Sequence, residues 1–181
     1  GGIHQNWSSQ LDVSADLSAL ATTPTCVVAS GAKSILDLSA TIESLETIGV
    51  PVLGLGHNTF PRFIEVSSDE DPAIQQVNEI EDVATICHAH WNELGFRSAV
   101  LATTRLPHDV AINRGSLQHA MDCAEQAWIV SGQPPNTRTP FLLDHLAKET
   151  SGRSLVANLE LLCQNALVAS KIAQIMQEVH P

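Results

Sequence analysis

Apolar residues along this chain fall into short unbroken runs that alternate with longer stretches of helical spacing, the pattern of an α/β sheet. Thr25-Cys26-Val27-Val28-Ala29 reads as a buried strand, Pro51 to Leu55 as a second and Ser98 to Ala102 as another, with Phe60 to Val66 as a possible addition. Between them the spacing predicts helices. One covers 14–21, with Ser14 as its cap and Leu17, Leu20 and Ala21 on one side. A second runs from Lys33 to about Ile48 and stops at Gly49. After the acidic break at 67–72, Val77, Ile80, Val83, Ala84, Cys87 and Trp91 line one face of a helix expected over 75–94 and closed by Gly95. A loop over 106–114 leads to a helix over 116–130, and Pro134-Pro135-Asn136 breaks the chain again. Thr139 as cap and Pro140 in the first turn open a helix that reaches about Lys148. The last helix is expected over 154–179, with Leu159, Leu162, Ala166 and Ala169 on its core stripe. No repeat, low-complexity tract or long linker interrupts the series, so residues 1–181 are expected to be the C-terminal part of a single domain.

Composition narrows the function classes. At 181 residues and 44% hydrophobic the chain can bury a core. Its formal net charge of −11 disfavours nucleic acid and anionic membrane surfaces as partners. A small phosphorylated ligand stays compatible with that charge, because a few local cations or a helix N-terminus outweigh it at short range. Only three lysines are present, Lys33, Lys148 and Lys171, which makes each informative. The four cysteines stand singly, without a CxxC, and are expected to be buried thiols in a reducing compartment. No apolar run is long enough to span a membrane and no signal peptide is visible, so a cytoplasmic location is expected. The opening Gly1-Gly2-Ile3-His4 reads as a start in mid-domain.

Candidate chemistry begins at Ser30-Gly31-Ala32-Lys33-Ser34, where a strand is expected to turn into a helix. Ligands bind at that edge of open α/β sheets, and the positive end of a helix dipole favours the neutral, nucleophilic form of a lysine. The segment lacks the first glycine of a P-loop and is not one. A solvated lysine at a helix start is the plain alternative. Asp12 and Asp16 flank Ser14; they can hold a hard cation through oxygen, or simply favour the first turn of a helix. His4 is one of eight scattered histidines, and His88 and His90 are wrongly spaced for a metal pair. Asn158, an amide on an otherwise apolar helix, can read the edge of a base or bond locally.

Taken in order, Gly-Gly-Ile-His (1–4), Asp-Val-Ser-Ala-Asp-Leu (12–17), Ser-Gly-Ala-Lys-Ser-Ile-Leu-Asp (30–37), Leu-Glu-Thr-Ile-Gly-Val-Pro (45–51), Thr-Pro-Phe-Leu-Leu (139–143) and Ser-Leu-x-Ala-Asn (154–158) resemble the pseudouridine-5'-phosphate glycosidase (indigoidine synthase A-like) family. The resemblance spans nearly the whole chain and implies an α/β/α layered sheet, incomplete at the N-terminus. It implies reversible cleavage of pseudouridine 5'-phosphate to uracil and ribose 5-phosphate, through an imine on Lys33. It also implies Asp12 as a Mn²⁺ ligand and Ser14, Ala15, Asp16, His4 and Asn158 as pocket residues. Its further implications are a homotrimer, and a proton-donating glutamate and second lysine in an N-terminal part of the same enzyme, upstream of Gly1.

The chain also departs from the family pattern. Gln5 follows His4 where Arg is usual, Val66 replaces a basic residue, Thr103 to Pro107 replaces an Asn-Pro-Ile-Pro-like loop, and Pro135-Asn136 replaces Gly-Lys. These changes leave a divergent, non-catalytic homologue as the alternative reading. The ordered motifs speak against an unrelated α/β binding module.

Overall fold

The computed structural model describes residues 2–4, 13–33, 36–134 and 137–179. In chain order these form β1 (Ile3–His4), α1 (Asp16–Thr22), β2 (Cys26–Ala29), β3 (Leu36–Asp37), α2 (Leu38–Thr47), β4 (Val52–Leu55) and β5 (Gln75–Val77). There follow α3 (Ile80–His88), which runs into a π-helical turn over Ala89–Glu93, then β6 (Val100–Thr103), α4 (Arg114–Ser131), α5 (Arg138–Glu149) and α6 (Arg153–Val179). Four strands pair in parallel in the order β2-β6-β4-β5, and β1 pairs antiparallel with β3 in a separate ribbon.

Side chains on neighbouring positions of a strand point to opposite faces, and each face of the parallel sheet carries its own core. Leu101 of β6 packs with Leu17, Leu38, Ile42, Leu45 and Phe60 beneath α1 and α2. Val100 and Ala102 pack on the other face with Val83 and Cys87 of α3 and Val168 and Ile172 of α6. All four residues of β6 are buried, as a central parallel strand requires. These layers are the expected α/β/α arrangement.

The chain folds into two compact units. The first comprises residues 1–63, 67–105 and 163–181 and contains both sheets; the second comprises 64–66 and 106–162. In the second, α4 and α5 form a hairpin in which Trp128 meets Phe141 edge-on at 5.3 Å. Asn113 caps α4 by accepting from the backbone of Gly115, and Gly132 ends that helix in the left-handed conformation.

Several expected boundaries move. The helix expected over 75–94 is two elements, because Gln75–Val77 adds a parallel strand beside β4 before Asp82 accepts from Glu79 N–H at 3.1 Å and starts α3. The stretch 60–66 is not a strand; it makes only isolated bridges, Arg62 with Gly31 and Glu65 with Ile112. The helix expected from Lys33 begins at Leu38, since Leu36 and Asp37 pair with β1 and the Asp37 side chain caps the helix by accepting from Ala40 N–H at 3.0 Å. Similarly, α5 starts after Thr137 rather than Thr139, which puts Pro140 at the third helical position, where its missing N–H still costs nothing.

On α6 the buried stripe is Ala157, Leu161, Val168 and Ile172, while Leu159 and Leu162 are more than half exposed. The sequence there is apolar on nearly every side, so spacing alone does not select the face. Only Cys87 among the cysteines is fully buried; Cys26 and Cys123 are half-buried, and Cys163 is exposed on the outer side of α6. Val66 uses its backbone N–H on the carbonyl of Ile112 at 3.1 Å, and Gln5 and Asn136 lie outside the described residues.

Candidate functional site

The chain leaves the sheet at the carboxyl end of β2 through Ser30, and Gly31 then takes φ 76°. Two constraints demand glycine there: the left-handed conformation, and a Cβ that would stand 1.8 Å from the carbonyl oxygen of Pro61. That close approach locks the loop onto its neighbour. Phe63 N–H donates to Ser30 O at 2.9 Å, and Ala32 N–H donates to Pro61 O at 3.2 Å. Lys33 O accepts from Leu36 N–H at 2.9 Å, so the backbone is held on both sides while the Lys33 side chain is exposed. Lys33 precedes the first residue of α2 by five positions. It therefore lies outside the helix's first turn, and the macrodipole does not act on it as the sequence pattern suggested.

Two other motifs arrive at the same place. Ser14 N–H donates to Gly2 O at 2.9 Å, Ile3 bridges Val13, and Ile3 N–H donates to Thr41 Oγ1 at 3.0 Å. β1 in turn pairs with β3, directly after the lysine loop. Residues 2–4, 13–16, 30–33 and 36–37 are thus tied to one another by backbone bonds. Beside them a cavity of about 340 Å³ is lined by Asp16, Leu17, Val27, Gly31, Phe60 and Leu101.

The strand ends next to this loop carry a polar cluster. Asn165 Oδ1 accepts from Ser30 Oγ at 3.1 Å and from Thr104 Oγ1 at 2.6 Å, and the two hydroxyl oxygens are 3.1 Å apart. Gln164 Nε2 donates to the carbonyl of Arg105 at 3.2 Å. Buried His57, after β4, has Nδ1 3.0 Å from Thr59 O and Nε2 3.1 Å from Thr103 O. Desolvation, with the Arg105 charge adding to it, holds the His57 pKa below the usual histidine value despite those carbonyls. Arg62 pairs with buried Asp71, whose other oxygen accepts from Ser68 N–H at 2.8 Å.

A model of the family described as Indigoidine synthase A like protein matches residues 1–175. The chain belongs to the indigoidine synthase A-like family. Among relatives of this indigoidine synthase A-like chain, the pseudouridine-5'-phosphate glycosidase of Gemmatimonas aurantiaca is 41% identical over 181 residues, covering 100% of the chain and 58% of the relative. That of Hahella chejuensis is 39% identical over 173 residues, covering 96% and 56%. The solved structure of the prealnumycin C-glycosynthase AlnA in complex with ribulose 5-phosphate superposes with a TM-score of 0.84 at 31% identity, over 99% of this chain and 58% of that one. An indigoidine synthase A-like protein of Thermotoga maritima gives 0.80 at 32%, over 96% and 56%. The chain spans a little over half the length of the curated relatives it matches.

Of the site residues expected in this indigoidine synthase A-like sequence, Ser14, Asp16 and Lys33 belong to the tied segments. Ser14 Oγ accepts from Asp16 N–H at 3.2 Å; Ala15 is the N-cap residue of α1. The backbone of His4 is paired in β1. Asp12 lies outside the described residues. Asn158 is half-buried on α6 within the second unit. Among the described residues no group of three or more His, Cys, Asp or Glu is arranged to hold a metal ion. Among the described residues, therefore, no Mn²⁺ site is complete. Ser30, Thr104 and Asn165 are the polar group that sequence reasoning missed. Asn165 sits between Leu161 and Val168 on the buried stripe of α6, and an amide at such a position was the available signal.

Proposed function

We propose that this chain supplies the nucleophilic lysine and the surrounding loop of an enzyme that breaks or makes the carbon–carbon glycosidic bond of pseudouridine 5'-phosphate. The observation carrying this reading is the convergence of three motif segments around an exposed Lys33 on a backbone clamped by Pro61 and Phe63. Relatives named pseudouridine-5'-phosphate glycosidase, and a C-glycosynthase structure with ribulose 5-phosphate, support the substrate class.

Two flanking carboxylates suit cleavage of an O-glycoside, where the leaving oxygen is readily protonated. Here the leaving atom is a ring carbon of uracil, which departs with the bonding pair, and an electron-pair donor on C1' is needed to expel it. In the cleavage direction, free Lys33 Nζ attacks C1', the C1'–O4' bond opens, and the ring oxygen takes a proton. The C1'–C5 bond then breaks as the nitrogen lone pair forms the iminium and uracil C5 gains a proton. Water hydrolyses the iminium, returning the lysine and releasing ribose 5-phosphate. Synthesis is the same sequence reversed. Ser14, Ala15, Asp16 and His4 are proposed to hold the sugar phosphate and Asn158 the uracil edge. Asp12 is proposed as a Mn²⁺ ligand on the resemblance alone. A homotrimeric assembly and a cytoplasmic setting belong to the same proposal, and the acid that protonates uracil is proposed to come from the residues that relatives carry beyond the match.

The test is to incubate the protein with ribose 5-phosphate and borohydride, then map the stable mass adduct. The adduct is expected on the peptide containing Gly31-Ala32-Lys33 and is lost in Lys33→Ala. An adduct confined to Lys148 or Lys171 overturns the assignment.

A further inference from the structure

We propose that Asn165 is a positioning residue for the lysine loop: by joining Ser30 to Thr104 it sets the backbone on which Lys33 is presented. The inference rests on Lys33 being the imine-forming group.

Ser30 and Thr104 are 3% and 2% exposed, so their hydroxyl hydrogens have no recourse to water. Asn165 Oδ1 is the acceptor for both, reaching across 135 and 61 residues of sequence. Removing it strands two buried donors that share one neighbour, and the two hydroxyls can then satisfy only one hydrogen between them. Ser30 is held at the same time through its carbonyl by Phe63 N–H. Side chain and main chain of one residue are thereby fixed at the point where the chain turns into Gly31. Gly31 and Ala32 then lie against Pro61, so the backbone leading into Lys33 cannot turn without breaking one of these bonds.

Helix α6 grips the partner strand end as well. Thr104 N–H donates to Ala29 O at 3.0 Å, and Gln164 takes the next carbonyl, that of Arg105. Consecutive amides on one helix therefore hold the ends of β2 and β6 together. A part-buried carboxamide costs desolvation that a leucine would not, and between Leu161 and Val168 on α6 it is a polar interruption of an apolar stripe. What it returns is one loop geometry rather than several, which is what an attacking amine requires.

The measurement is the rate of reductive trapping at Lys33 across ribose 5-phosphate concentrations, together with hydrogen exchange of peptides covering 30–33 and 61–63. Asn165→Leu is expected to lower the saturating trapping rate about ten- to hundredfold, with the half-saturating concentration changing less than about threefold. Exchange should quicken in those two peptides and not across the sheet. Asn165→Asp keeps the acceptor and should recover most of the rate. If Asn165→Leu does not fold, Thr104→Val, which removes one donor, is expected to cost about tenfold with the same local exchange pattern. A folded Asn165→Leu or Thr104→Val protein that traps at the wild-type rate with unchanged local exchange overturns the proposal. If the wild type forms no adduct at Lys33, the nucleophile assignment fails instead, and the exchange data still decide whether Asn165 holds the loop.

Discussion

At the scale of single residues, Gly31 and His57 each carry a constraint that a variant exposes. Gly31→Ala must accept both a positive φ and a methyl group driven into the Pro61 carbonyl. The expected loss is on the order of 3 kcal/mol, read from urea denaturation. Adding Cβ to Gly132 meets nothing within 4 Å, so Gly132→Ala carries only the backbone part of the penalty and serves as its control. For His57 the folded pKa is depressed, so the unfolded chain binds the proton more tightly. Stability from this group is fully present above the unfolded value of about 6.5 and declines as the pH falls below it towards the folded pKa. Denaturation at pH 7.5 and 5.5 should show the decline, and His57→Gln should show a smaller one. Equal declines would mean that another of the eight histidines is responsible.

At the scale of elements, the cap of α3 is the clearest local determinant, because Asp82 Oδ2 accepts from the backbone of both Asn78 and Glu79. Asp82→Ala is expected to cost about 1 kcal/mol by thermal or urea unfolding. That cap also explains a misread boundary. Spacing of apolar residues placed Val77 on the helix face, yet Asn78 and Glu79 break the helix there and leave Gln75–Val77 free to extend the sheet. The strands β2, β4 and β6 were legible because a parallel strand covered on both faces is apolar throughout. β1 and β3 were not, since two-residue ribbons have no periodicity to read and owe their existence to pairing with each other. For the site, Lys33 stood out by rarity and by its motif. The Ser30–Thr104–Asn165 cluster did not, because its members come from three distant segments and each is ordinary alone.

At the scale of the whole molecule, α6 exposes Leu155, Val156, Leu159, Leu162 and Leu167 by more than half each, while β2 and β5 are the edges of the parallel sheet. Open edges and apolar stripes favour association. Sedimentation of the 181-residue chain should therefore show self-association rising with concentration, reduced by Leu159→Glu with Leu162→Glu. A monodisperse monomer would contradict this. Cleavage of pseudouridine 5'-phosphate by this chain alone is expected to stay at background and to rise when the remaining length of a relative is supplied, on the same or a separate chain. The loop clamp also has a bearing on synthesis. Residues 30 and 104 leave the ribosome long before residue 165, and their hydroxyls have no shared acceptor until it follows. The sheet can pair early, but the turn that presents the lysine takes its final shape only when the last helix docks. The proposed nucleophile would thus stay without its final backbone geometry until α6 has emerged and docked, and would capture stray cellular aldehydes more slowly before then.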